Sequence, residues 1–407
     1  MTELDASPQT QEQIAEIGSA DLLVGILVPD GSHENGAVAL VRDSLAGLSP
    51  RPKTVVLHND GVDGREEPTD DSFFAVRNRN FGAAVPSVES LGAAYRSLFV
   101  AGSKLGARAC CVVASDLGTV TSRWISQLVQ PVLEKDFDLV TPCYARHKFE
   151  GLINSGIISP LSQAVYGRQI QNPMGPDLAF SQRLLQKLNG SRQDLHALPA
   201  ARLVPAAVGA GFQVAQTQIG TRVYPPTDWV NLSSVLAQIL GPVFADMELN
   251  AAFWQKIRGS QPVVTLDEAV PVFEETGAIE VQRMVESFQL GARNLQEIWS
   301  LVLPPATLLE IRKLSRLTAE QFRMPDPLWV RIVYDFALAH RLRTITRDHL
   351  LRALTPLYLG WVASYALEME LLGAVAVEQR LSRLSREYEA AKPYLVSRWR
   401  WPDRFSP

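Results

Sequence analysis

The strongest constraint on this chain is a set of continuous apolar runs in its first part, each ending on polar residues. "DLLVGILV", "KTVVLHND", "ARACCVVAS" and "FDLVTPCY" lack the polar alternation of a half-exposed strand. Such runs suit strands buried on both faces of a sheet. Helical spacing fills the intervals, in "GAVALVRDSLAG", "SVESLGAAYRSLFVAGSKLG" and "SRWISQLVQPVLEK". In the second, Ser87 is placed to cap, Glu89 suits the first turn and Gly106 ends the pattern. The third carries a proline, which predicts a kink. This rhythm predicts an α/β fold with a mostly parallel sheet and helices on both sides.

After about residue 260 the texture changes to successive helical patterns, among them "VQRMVESFQLGARNLQEIWSLVL" and "PLWVRIVYDFALAHRLR". The expected organisation is a mobile lead-in over 1–20, an α/β domain over 21–258 and a linker over 259–279. An all-helical domain over 280–407 completes it. The linker is read from "GSQPVVTLDEAVPVFEETG".

With 46% hydrophobic and 20% charged residues the composition is that of a soluble globular chain. A net charge of -4 excludes a broad electrostatic footprint for nucleic acid. Cys110, Cys111 and Cys143 are too few for a disulfide framework, and the six histidines show no HExxH spacing. The N-terminus has neither a basic region nor an apolar core, so no signal peptide is read there. "VLAQILGPVFADM" is broken by Gly241-Pro242 and is too short to span a bilayer. A cytoplasmic protein without membrane or nucleic-acid partners is expected.

Ligands of doubly wound sheets collect beyond the carboxyl ends of the strands. Four such ends are polar here: "VPDGSHENG", "HNDGVDG", "ASDLGT" and "TPCYARHKFEG". Asp60 is placed to accept hydrogen bonds from a base or ribose, or is a turn aspartate before glycine. Asp116 fits one carboxylate of a metal–diphosphate site, or a cap before "GTVTSRW". Tyr144, Arg146, His147 and Lys148 follow a strand directly and suit a carboxylate or phosphate, or are a solvated charge run. Asp177, in "IQNPMGPDLAFS", reads as an acid at a loop-to-helix entry, where capping is the plain alternative. No P-loop, GxGxxG or nucleophile triad is present.

Taken in order from Asp21 to Trp399, these segments resemble the retaining GT-A glycosyltransferases that include mannosylglycerate, glucosylglycerate and glucosyl-3-phosphoglycerate synthases. "YARHKFEGLINSGIISPLSQAVYGRQIQNPMG" and "LGARACCVVASDLGTVTSRWISQLVQPVL" carry the resemblance best. It implies a GT-A nucleotide-sugar domain followed by a helical domain. It also implies transfer of a sugar from a nucleotide-sugar to a small acid such as glycerate or phosphoglycerate. Pro29, Asp60 and Asp116 would then lie on the nucleotide-sugar side, with Tyr144, Arg146, His147 and Lys148 around the acceptor. Asp177 would be the catalytic residue, contacting an acceptor or sugar hydroxyl, and a second copy or a paralogue a candidate partner.

The departures from the family pattern are local. Ala114 stands where the first acid of D-x-D is expected, leaving Asp116. Tyr224 stands where a metal-binding histidine is expected, and "SLG" replaces a lysine-bearing loop. Each change removes a group that would meet the diphosphate, and donors of this kind contribute roughly 2–4 kcal/mol each to a charged transition state. Phenolic oxygen is a poor substitute for imidazole on a divalent ion. Any Mg²⁺ or Mn²⁺ is therefore expected to bind weakly through Asp116. The alternative reading is a catalytically inactive relative that serves as a binding or regulatory partner. A nucleotidyltransferase would want a glycine-rich first loop with Arg and Lys, and "PDGSHENG" has neither.

Overall fold

The computed structural model describes residues 8–29, 37–58, 71–78, 81–83, 88–114, 121–145, 147–190, 200–222, 230–267 and 279–402. The chain begins α1 (Pro8–Ile17), β1 (Leu22–Ile26), β2 (Val28–Pro29), α2 (Ala37–Leu45), β3 (Thr54–His58), β4 (Phe73–Arg77) and β5 (Gly82–Ala83). It continues with α3 (Val88–Leu105), β6 (Ala109–Val113), α4 (Ser122–Glu134) and β7 (Leu139–Ala145). A π-helical turn, Asn154–Ile158, leads into α5 (Ser159–Tyr166), β8 (Arg168–Gln169), β9 (Leu178–Ser181), α6 (Gln182–Asn189), α7 (Ala200–Gly209) and β10 (Val214–Thr221). Next come α8 (Leu232–Leu249), α9 (Ala251–Trp254), β11 (Gln261–Pro262) and β12 (Val264–Thr265). The remaining helices are α10 (Val281–Asn294), α11 (Gln296–Val302), α12 (Pro305–Leu314), α13 (Asp326–Leu342), α14 (Arg347–Ala353), α15 (Thr355–Met369), α16 (Ala374–Ala390) and α17 (Lys392–Arg400).

Two compact units emerge, and they are not consecutive in sequence. One takes its residues from Met1–Ala145, Ile170–Val223 and Val263–Val270; the other from Arg146–Gln169, Tyr224–Pro262 and Pro271–Pro407. The boundary expected at 258 is therefore replaced by several crossings. In the helical unit α5 packs on α16 and α8 on α14, and Gln163 Nε2 donates to Glu389 Oε1 at 2.7 Å. Contacts between residues more than 200 positions apart leave no mark on local composition.

In the first unit, eight of the described strands form one sheet in the order β12-β10-β7-β9-β6-β1-β3-β4. All pair in parallel except β9, which runs antiparallel between β6 and β7. The mostly parallel sheet read from the apolar runs is present: β1, β6 and β7 are buried along their whole length. One face packs Tyr95, Leu98 and Phe99 of α3 against Leu184 and Leu185 of α6 and Leu203 of α7. The other packs Val38 and Val41 of α2 with Trp124, Ile125 and Leu128 of α4. Gly25 in β1 is required by this packing, since a Cβ there would meet the Phe81 ring at 2.3 Å.

Four expectations are corrected. Within the lead-in, Pro8–Ile17 is a helix, anchored by Ile14 at 1% exposure and by Thr10 Oγ1 donating to the Arg77 carbonyl at 2.7 Å. Its glutamine- and glutamate-rich face hides a short apolar stripe that is enough to dock it. Within the expected linker, β12 extends the main sheet beside β10 and β11 pairs with β8 in the helical unit. The segment after Asp177 is a strand, β9, before it is a helix. Gly241-Pro242 does not break α8, which runs for 18 residues through Pro242. That helix is long and apolar enough to cross a membrane by length and composition alone. It buries Leu236, Leu240, Phe244 and Met247, and its Asp246 accepts a short hydrogen bond from Tyr166.

Candidate functional site

The described chemistry of the sheet unit gathers where β6 and β7 end. β9 separates these two parallel strands, pairing Val112 with Leu178 on one side and Val140 with Ala179 on the other. Because β9 begins only at Leu178, the ends of β6 and β7 beyond it have no strand between them. The Asp177 carboxylate occupies that gap. Its Oδ1 accepts from the Ala114 backbone N–H at 2.8 Å, and its Oδ2 from the Tyr144 hydroxyl at 2.5 Å. Asp177 is fully buried, and a buried carboxyl group is costly unless donors of this kind meet it.

The turn before it is built for this placement. Gly175 N–H donates to the Asn172 carbonyl at 3.0 Å, and the Asn172 side chain donates to the Pro142 carbonyl of β7 at 3.0 Å. A Cβ on Gly175 would lie 2.4 Å from Pro142. Only glycine lets the turn lie this close to the strand. Tyr144 is fixed by Trp124, with ring centroids 6.0 Å apart, and by the Arg222 guanidinium 5.2 Å from its ring centroid. Such a cation–π contact is worth about 0.5–1 kcal/mol when exposed and more when desolvated.

Two groups here were not singled out by the sequence. Arg222 follows β10, where a lone basic residue at a strand end was the available signal. Tyr95 sits at helical spacing with Leu91, Leu98 and Phe99 and reads as core. Its hydroxyl is buried without a hydrogen-bond partner among the described residues. Burial, then the Asp177 charge, then Cys111, push that phenol well above its usual range. Burial also pushes the Cys110 thiol to about 12, and burial with the Asp177 charge raises Cys111 further from ionisation. Neither thiol is an available nucleophile at neutral pH.

The expected site residues divide. Tyr144 and Asp177 come together. Asp60, Asp116, Arg146 and Tyr224 lie outside the described residues, and for Pro29 only the backbone of β2 is described. His147 and Lys148 belong to the helical unit. The His147 Nδ1 accepts from the Phe149 N–H at 3.3 Å, and the His147 backbone N–H donates to Glu150 Oε2 at 3.2 Å. The Lys148 ammonium donates to the carbonyls of Met369, Glu370 and Leu372 at 2.9, 2.7 and 3.2 Å. Those carbonyls end α15, where a cation complements the helix dipole. Three N–H groups of the ammonium meet three carbonyls in this arrangement.

The described residues do not themselves fit a metal ion. No group of three or more His, Cys, Asp or Glu that could hold one occurs among them. The described end of β6 is Ala114, and both oxygens of the adjacent Asp177 already accept hydrogen bonds.

No family model matches this chain, and no curated protein matches it. Among solved structures, glucosyl-3-phosphoglycerate synthase from Mycobacterium tuberculosis, in complex with Mn²⁺, UDP and glucosyl-3-phosphoglycerate, is 18% identical. That match covers 57% of this chain and 83% of that one, with a TM-score of 0.38. The same enzyme with Mg²⁺ and UDP is 19% identical over 57% and 82%, with a TM-score of 0.39. Mannosyl-3-phosphoglycerate synthase from Rubrobacter xylanophilus is 14% identical over 61% and 80%, with a TM-score of 0.41. Likeness of this degree decides neither ligand nor reaction for the present chain, whose fold rests on its own strand order.

Proposed function

We propose that this chain is a glycosyltransferase with a GT-A nucleotide-sugar domain, transferring a sugar to a small acid such as glycerate or phosphoglycerate. The observation that carries the reading is the anchoring of β6. Asp177 and Tyr144 hold Ala114 at the carboxyl end of a central parallel strand, two residues before Asp116. Strand ends of this kind are where open α/β sheets bind ligands. A mostly parallel sheet with one antiparallel strand set beside its centre agrees with a GT-A domain.

In this reading Asp177 is a positioning residue. Its burial keeps it from substrate, and its carboxylate fixes the strand from which Asp116 departs. Asp60 and Pro29 serve the nucleoside side, and Arg146 the acceptor anion, where its planar guanidinium suits a carboxylate or phosphate. A divalent ion, where used, is the province of Asp116, with Tyr224 in place of a histidine. The helical unit, and a second copy or paralogue as partner, complete the proposal.

Calorimetric titration with UDP-glucose and GDP-mannose, each with Mn²⁺ and with EDTA, tests this reading. Saturable binding of one donor, followed by transfer to glycerate or 3-phosphoglycerate, is expected. Absence of binding and of transfer with both donors under both conditions overturns it. Asp116→Ala is expected to abolish metal-stimulated transfer, and unchanged turnover in that variant removes Asp116 from the site.

A further inference from the structure

The helical unit contains a cavity of about 590 Å³ that the transfer reading does not use. It is lined by residues of α13, α15 and α16 and by the segment before α13, among them Arg323, Arg380, Arg383 and Arg386. Its volume falls within the range of small-molecule sites. Asp326, Glu368 and Glu387 are the carboxylates of the lining, so four cations face three anions.

These arginines are not equivalent. Arg380 is buried and fully engaged: its two terminal nitrogens meet Asp326 at 2.6 and 2.8 Å, and its Nε meets Glu368 at 2.5 Å. Arg383 shares Glu368 at 2.9 Å. Among the described residues Arg323 donates to the backbone carbonyls of Glu320 and Phe322 alone. Arg386 makes no hydrogen bond or ion pair among the described residues. The floor of the cavity is therefore a closed ion-pair network that fixes its shape. Two guanidinium groups of its lining, Arg323 and Arg386, have no carboxylate partner among the described residues. The first turn of α13 also opens here, at Pro325, Asp326 and Pro327, adding the positive end of a 17-residue helix.

We propose that this cavity binds a small organic phosphate, gripped by Arg323 and Arg386 and seated over the Arg380–Asp326–Glu368 network. Guanidinium pairs planar, multidentate anions better than an ammonium does, and every cation of the lining is an arginine. The inference concerns a site separate from sugar transfer and does not depend on that activity.

The test uses the full chain and inorganic phosphate as the probe, titrated calorimetrically at ionic strength held constant with sodium chloride. Saturable binding is expected, with a phosphate-dependent rise in melting temperature. The double variant Arg323→Gln/Arg386→Gln is expected to weaken binding at least about tenfold, since loss of two charge-assisted contacts exceeds one decade of affinity. Both side chains are exposed, so the variant should melt with the wild type in phosphate-free buffer. The single variant Arg386→Gln serves if the double one does not fold. No saturable binding by the wild type overturns the proposal. Equal affinity in wild type and variant also overturns it, because phosphate then binds elsewhere.

Discussion

Asp177 in the sheet unit and Asp335 in the helical unit are both buried carboxylates held by a tyrosine, yet they are satisfied in different ways. Asp177 lies at a strand end, where a backbone N–H is free to donate, and takes one from Ala114 beside the Tyr144 hydroxyl. Asp335 lies within α13, whose amides are engaged along the helix. It therefore relies on side chains: Tyr394 donates to Oδ1 and Oδ2 at 2.8 and 2.9 Å, and Arg398 Nε approaches at 3.5 Å. Burial pushes Asp335 up to about 7, against the lowering effects of Tyr394, Arg398 and Arg331. Backbone geometry comes with the fold, whereas side-chain partners must be ordered one by one.

The largest expected effect that sharpens this contrast is Asp177→Ala. It removes the acceptor that the Ala114 N–H and the Tyr144 hydroxyl share, at about 1–3 kcal/mol for a buried hydrogen bond broken from one side. Urea unfolding should show that loss, and a cost under about 0.5 kcal/mol, the scale of surface substitutions, would break the assignment of Asp177 as an anchor. Tyr144→Phe comes next, at about 1–3 kcal/mol, because it leaves one carboxylate oxygen without its hydroxyl donor. Weakened donor binding should accompany it if the β6 end shapes the site. Stability lost with unchanged donor affinity would confine Tyr144 to a structural role.

The pH dependence of stability separates the two carboxylates further. Because Asp335 is raised from 3.8 to about 7, the folded chain favours its protonated form. Its stabilising contribution is complete below 3.8 and is lost as pH rises through about 7. His340 acts oppositely: burial, then Arg347 and Arg343, lower it from 6.5 to about 4. Its contribution is complete above 6.5 and is lost as pH falls through about 4. The two slopes oppose each other between these limits. Asp335→Asn should therefore unmask a rise in stability from about pH 4 to about pH 6.5 that the wild type hides. An unchanged profile would show that Asp335 does not titrate in this window. Lys148→Met is the smallest expected change, about 0.3–1 kcal/mol for a cation at a helix end. The acceptor KM should stay constant, and a raised KM at unchanged stability would return Lys148 to the acceptor site.

The legibility of the fold followed the range of the forces behind each element. β1, β3, β6 and β7 are apolar runs whose burial is written in their own residues, so they were read directly. β9 is four residues, "LAFS", running straight into the helix that Ser181 caps, and the helical pattern masked it. With β9 missed, Asp177 could be read as a cap or as a site residue but not as an anchor, because its partners lie on strands that β9 holds apart. The three carbonyl acceptors of Lys148 were not legible, because they come from a helix end more than 200 residues later. Tyr144 was read as part of a site, but its partner was not foreseeable from spacing. The two-unit division was hidden for the same reason, since it depends on which helices meet.

The π-helical turn at Asn154–Ile158 carries a further consequence. Its Gly156 carbonyl accepts from both Trp329 Nε1 and the Tyr388 hydroxyl, at 2.9 and 3.0 Å, while a Cβ on Gly156 would meet Trp361 at 2.3 Å. A π-turn amounts to one additional residue inside an α-helix. The wider turn takes up that residue at almost the same total rotation, so deleting one residue here would restore a regular α-helix and leave Leu161 and Val165 on their buried face. What would be lost is the bulge that presents the Gly156 carbonyl to Trp329 and Tyr388 at once. The extra residue therefore serves those two buried donors, and removing it should cost stability without disturbing the packing of α5.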